Sequence, residues 1–143
     1  MKTADYIFTG RLEPLNLDCA AKILYAADRA YALGLNESDF SLVSGFSEGM
    51  GCGRTCGAVI GAVMVLGKRL GENSILAQDE LKSVVGDYVY RMGKELGSID
   101  CSYLRLRYRT PESGCREVLL TAAKILDEII QEKNKADDLQ VYL

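Results

Sequence analysis

Histidine is absent from this chain of 143 residues, and so is tryptophan. The first absence excludes His-ligated haem, zinc sites built on imidazole, and any Ser–His or Cys–His catalytic pair. Proline occurs only at Pro14 and Pro111, so little interrupts a helix. No apolar run reaches the roughly eighteen residues of a membrane span. The first residues lack the apolar stretch of a secretory signal. A basic excess is also missing: 17 Lys and Arg stand against 20 Asp and Glu, a net charge of −3, which leaves no electrostatic footprint for nucleic acid. These absences predict a single cytoplasmic domain, not membrane-spanning, in a reducing compartment.

Cysteine is present in number: Cys19, Cys52, Cys56, Cys101 and Cys115. In a cytosolic chain such usage points to redox chemistry or metal binding more than to a disulfide framework. Hydrophobic content of 48% and charged content of 26% are ordinary for a globular domain.

Helical periodicity dominates, and strand-like alternation is scarce. The expected fold is all-α, a compact bundle of about four main helices plus short helical turns. Residues 14–132 form its core, and 133–143 form a polar tail that frays. The first main helix starts at Asn16 or Asp18 as cap, carries Cys19, Ile23, Ala27 and Tyr31 on one face, and stops at Gly34. A short helix, Glu37 to Val43, follows the cap Asn36. A glycine-rich loop spans Gly45 to Gly53. The second main helix runs from Cys56 to Leu70 with Thr55 as cap, and the third from Ile75 to Leu96. A short turn covers Cys101 to Leu104. Thr110 and Pro111 suit the cap and first position of the last helix.

The stretch GMGCGRTCGAVIGAVMVLG, Gly49 to Gly67, concentrates the unusual chemistry. It is not a phosphate loop. A Walker loop needs a Lys before Ser or Thr, and a dinucleotide loop needs a preceding strand and a glycine at position 56, where cysteine stands. Gly53, Gly57 and Gly61 recur every four residues and bare one side of the helix. Glycine inside a helix costs about 0.5–1 kcal/mol, so Gly57 and Gly61 call for compensation. Close contact with another helix supplies it, or access to the Cys56 sulfur does, and the two are compatible.

Cys19, Cys56 and Cys101 each follow a plausible cap residue, and Cys115 falls in the second turn after Thr110. A thiol near a helix N-terminus is pushed toward thiolate. Asp18 and Asp100 oppose this for Cys19 and Cys101. Cys56 has Arg54 and Thr55 beside it, which makes it the expected low-pKa nucleophile. Cys52 and Cys56 form CxxxC. A bridge between them requires Cys52 to lie off the helix, because Cβ atoms four apart on a helix are about 5–6 Å apart and a disulfide wants about 3.8 Å.

The pattern resembles the C_GCAxxG_C_C family, small bacterial and archaeal proteins described as redox-active. The matching residues are Cys19 in "LDCAAKIL", Cys56, Gly57, Ala58 and Gly61 in "TCGAVIGA", Cys101 in "GSIDCSYLR" and Cys115 in "GCREVLLTAAKIL". The lead-in "SGFSEGMG" is similar as well, and the resemblance covers about Leu15 to Glu128. It implies a helical fold and a redox role for the four matched cysteines. Cys52 lies outside the pattern, as a spare thiol or a resolving partner for Cys56. The lack of histidine separates the chain from haem-carrying relatives.

Three functions compete. The first is thiol–disulfide exchange or electron transfer centred on Cys56, resolved by Cys52, Cys19, Cys101 or Cys115, with an unidentified redox partner protein. The second is a cysteine-ligated metal or iron–sulfur cluster held by Cys19, Cys56, Cys101 and Cys115, although compact CxxC ligand pairs are missing. The third is a non-catalytic helical module that binds a partner. Gly57 and Gly61 are the candidate close-approach positions for a cofactor or for a second copy of the chain. Arg105, Arg107 and Arg109 alternate with apolar residues, as a solvated face, an extended basic edge or a docking patch for an acidic partner.

Overall fold

The computed structural model describes residues 1–71 and 77–141. They form seven α-helices: α1 Thr3–Phe8, α2 Cys19–Tyr31, α3 Glu37–Ser41, α4 Gly57–Gly71, α5 Ala77–Leu96, α6 Cys101–Tyr108 and α7 Arg116–Val141. The all-α class is as the periodicity predicts. The four long helices α2, α4, α5 and α7 correspond to the expected main ones, and three short helices join them. The expected helix start at Ile75 lies outside the described residues. No described helix is long and apolar enough to cross a membrane.

α2 begins where the sequence says. Asp18 accepts the Ala21 N–H at 2.9 Å as a cap, and Ala20, Ile23, Leu24 and Ala27 are buried. It ends earlier than Gly34 suggests. Ala32 takes the left-handed conformation, φ 52°, and donates to Asp28 O at 2.8 Å. The Asp28 carboxylate also accepts the Leu35 N–H, which holds the exit of the helix without a glycine.

α4 lies at the centre, packed against α2, α5 and α7. Its bare side faces α2. A Cβ on Gly61 would meet the Ala20 carbonyl oxygen at 2.6 Å, and one on Gly57 would meet the Ala20 nitrogen at 3.2 Å and Cys19 Cβ at 3.4 Å. Close helix contact therefore compensates the two glycines, and it comes from within the chain. On the opposite side, Tyr88 and Met92 of α5 and Leu126 and Ile130 of α7 complete the core. The Tyr88 hydroxyl donates to Ala122 O at 3.1 Å.

Four local features differ from the sequence reading. α1 was not expected. Its first N–H groups, on Thr3 and Ala4, are accepted by the Asp127 carboxylate of α7 at 3.1 and 2.9 Å, a cap supplied across the whole chain. Residues 101–108 form a full helix, not a turn followed by an extended edge. The Thr110–Pro111 helix start is replaced by a turn: Thr110 and Gly114 exchange backbone hydrogen bonds, and Thr110 Oγ1 accepts the Ser113 N–H. Thr110 is thus engaged before α7 begins. Finally, α7 continues past Lys133 to Val141, with no glycine or proline to end it; residues 142–143 of the expected tail lie outside the described residues.

Candidate functional site

Four helix beginnings carry the cysteines. Cys19 and Cys101 are the first residues of α2 and α6, directly after Asp18 and Asp100. Cys56 and Cys115 immediately precede α4 and α7, and their carbonyls accept the N–H groups of Ile60 and Leu119 at 3.1 and 3.0 Å. Cys115 thus stands at the mouth of its helix, not in the second turn after Thr110.

Local structure brings these ends together. Thr55 and Asp100 form an isolated antiparallel bridge. Around it, Cys56 N–H donates to Ile99 O at 2.8 Å and Cys101 N–H to Arg54 O at 2.6 Å, so the entries to α4 and α6 are tied by backbone. The preceding loop is not slack. Glu48, Gly49, Met50 and Gly51 all have positive φ, and Arg54 N–H closes the loop onto Gly49 O at 3.0 Å. A Cβ on Gly49 would fall 2.7 Å from Cys101 Cβ, so glycine there satisfies both the left-handed backbone and the contact. On the other side, Gly57 lets Cys19 come up against the start of α4.

The result is one cavity of about 680 Å³, lined by Cys19, Cys56, Cys101 and Cys115 among others. Gly57 also lines it. Gly61 does not, because Ala20 covers it. Cys52 is exposed, lies outside the lining, and directs its sulfur to Gly49 O at 3.6 Å. The structure therefore gathers the four cysteines of the pattern and leaves the fifth apart.

The four thiols differ in electrostatics. The interaction with Cys115, and then burial, pushes the Cys19 thiol far up. The same interaction, on the side of Cys115, holds that thiol down to about 6 against the cost of its burial, with Arg109, Arg105 and Lys22 assisting. Cys56 is 6% exposed. Burial pushes its thiol up, and the N–H groups of Ala58 and Val59 offset only part of this. Cys101 is also raised, by burial first, with Arg105 opposing. The low-pKa thiol is thus Cys115, not Cys56. Sequence reasoning weighed only adjacent residues, and the deciding partners of Cys115 come from α2 and α6.

Among the described residues, no three Cys, Asp or Glu side chains form a group suited to hold a metal ion.

Residues 17–129 match the family model described as "Putative redox-active protein (C_GCAxxG_C_C)". The chain belongs to that family. Its label orders the central element as GCAxxG, whereas in this chain Cys56 precedes Gly57. This order puts the cysteine at the cap of α4 and the glycine in its first turn, against Cys19. No curated protein and no solved structure matches the chain.

Proposed function

We propose that the cavity carries out two-electron thiol–disulfide exchange, with Cys115 as the attacking thiolate and Cys19 as the thiol that resolves the mixed disulfide. The observation that carries this reading is that Cys19 and Cys115 line one cavity and act strongly on each other's ionisation there. Exchange requires an accessible thiolate and a second sulfur beside it. Cys115 is half-buried, and Cys19 supplies the neighbour.

The step balances as follows. Cys115 thiolate attacks one sulfur of a substrate disulfide, that S–S bond breaks, and the first substrate thiolate leaves. Cys19 releases its proton to that thiolate and attacks Cys115 Sγ. A Cys19–Cys115 disulfide forms and the second thiolate departs. The substrate disulfide is reduced, and the protein dithiol is oxidised. An external reductant, a redox partner protein or a small thiol, returns the pair to the dithiol. Cys56 and Cys101 line the same cavity, and burial holds both more protonated. A cytoplasmic setting fits a resting dithiol.

Mild oxidation followed by thiol counting and peptide mapping tests the proposal. The expected result is loss of two thiols and a Cys19–Cys115 linked peptide. An unchanged thiol count after oxidation sinks it. So does a bridge that excludes both residues.

A further inference from the structure

We infer that the cavity selects a small disulfide bearing negative charge, such as one carrying carboxylates, through Arg105 and Arg109 at the edge of the cysteine cluster. This rests on the exchange reading above and adds the substrate class.

The helical form of residues 101–108 is what creates the selectivity. Arg105 lies in α6 and Arg109 caps its end, four residues on, which puts the pair on one side of the helix. Both line the cavity. Arg107 and Leu106 do not, and Leu106 is 90% exposed. Three alternating arginines in sequence thus become two that face the cavity and one that faces water.

Among the described residues, neither Arg105 nor Arg109 forms an ion pair with a carboxylate. The other cations at the cavity are engaged. Lys22 pairs with Glu13 at 3.2 Å. Arg116 donates to Phe8 O at 2.6 Å and lies over the Phe8 ring. The carboxylates of the lining are placed elsewhere: Asp18 caps α2, Glu13 holds Lys22, and Glu48 acts on Cys101. Glu112 is exposed on the turn before α7. The charged side chains acting most strongly on Cys115 are Arg109, Arg105 and Lys22, all positive.

The cavity volume of about 680 Å³ is within the usual range of small-molecule clefts, about 300–1,000 Å³. An anionic disulfide can set its carboxylates against the two guanidiniums, which favour planar anionic groups, while its sulfurs reach Cys115. A cationic disulfide meets like charge at the same place.

Three aliphatic disulfides of different charge provide the test: dithiodipropionate, dianionic; hydroxyethyl disulfide, neutral; and cystamine, dicationic. Thiol release by the reduced protein is measured for each and normalised to the rate with mercaptoethanol. The expected order is anionic, neutral, cationic, with at least about a tenfold gap between the extremes at low salt. The gap should shrink strongly in about 1 M salt. R105Q/R109Q should abolish it, and R107Q should keep it. Equal normalised rates, or a preference that salt leaves untouched, overturn the charge selection while leaving exchange at Cys19 and Cys115 standing. No thiol release from any of the three overturns both.

Discussion

Cys19, in the first turn of α2, and Cys115, at the mouth of α7, line one cavity and act on each other's ionisation. The interaction sets two chemically identical side chains apart, pushing the Cys19 thiol up and the Cys115 thiol down. Alkylation of Cys115 by iodoacetamide should therefore rise with pH through a midpoint of about 6, well below the ordinary 9.0. Cys19→Ala removes the partner that lowers Cys115 most and should move the midpoint upward. Peptide-resolved mass spectrometry reads both. A native midpoint near the ordinary value removes Cys115 as the attacking group.

The same pair couples to folding. A thiol whose pKa is lowered in the folded state binds fewer protons there than in the unfolded chain, so its contribution is present above the ordinary value and is lost as pH falls through the folded one. For Cys115 the window runs from about 6 to 9.0. Cys19 is raised, and it acts in the opposite sense only above 9.0. The stability difference between the native protein and Cys115→Ser should grow in favour of the native protein as pH is raised within that window. Denaturant titrations at its two ends check this, and a difference that is flat or shrinking with pH contradicts it.

Gly61 tests the packing that brings Cys19 and Cys56 together. A methyl group there would fall 2.6 Å from the Ala20 carbonyl oxygen, with Ala20 Cα at 3.2 Å. These are backbone atoms and have no rotamer to yield. Gly61→Ala should destabilise the protein by about 1–3 kcal/mol, as overpacking does, despite alanine's better helix propensity. Gly67→Ala is the contrast. Nothing lies within 4 Å of its new methyl, so the propensity gain of up to about 1 kcal/mol should appear as added stability. Equal effects at the two positions would mean that the α2–α4 contact does not depend on the bare surface.

Most of the helical frame was legible because it rests on local signals: the Asp18 cap, the apolar face of α2, and the spacing of Gly57 and Gly61. The cysteines at helix starts were legible for the same reason. What escaped depends on distant partners. The lowered thiol is Cys115 because Cys19, Arg105 and Arg109 converge on it, and no window around position 115 contains Cys19. α1 escaped because its cap is Asp127, and the basic stretch at 105–109 misled because its alternation imitates a strand while Thr55 and Asp100 tie its start to the entry of α4.

Asp127 is 4% exposed and accepts three hydrogen bonds, from the N–H groups of Thr3 and Ala4 and from the Tyr31 hydroxyl at 2.5 Å. It fixes α1 against α2 and α7, and Ile7, Phe8 and Leu12 of that segment form one wall of the cavity. Asp127→Ala leaves buried donors without an acceptor, and it should cost about 2–4 kcal/mol. Hydrogen exchange should quicken first in α1. Oxidation to the Cys19–Cys115 disulfide should persist in the fraction that remains folded, since neither sulfur touches this network. Unchanged exchange in α1 would show that the carboxylate is not what holds it.

Cys52 separates the cluster from the remaining thiol. It is exposed, sits on the left-handed loop outside the cavity, and makes a single long contact from its sulfur to Gly49 O at 3.6 Å. A Cys52–Cys56 bridge would have to bring this sulfur to a cysteine that burial and the backbone of Ile99 hold in place. Cys52→Ser should change stability by no more than about 0.5 kcal/mol, and it should leave the two-thiol loss on mild oxidation intact. Cys115→Ser should abolish that loss in a protein that still folds. If Cys52→Ser instead blocks oxidation while Cys115→Ser does not, the reactive pair includes the loop thiol, and the four-cysteine cavity is not the seat of the chemistry.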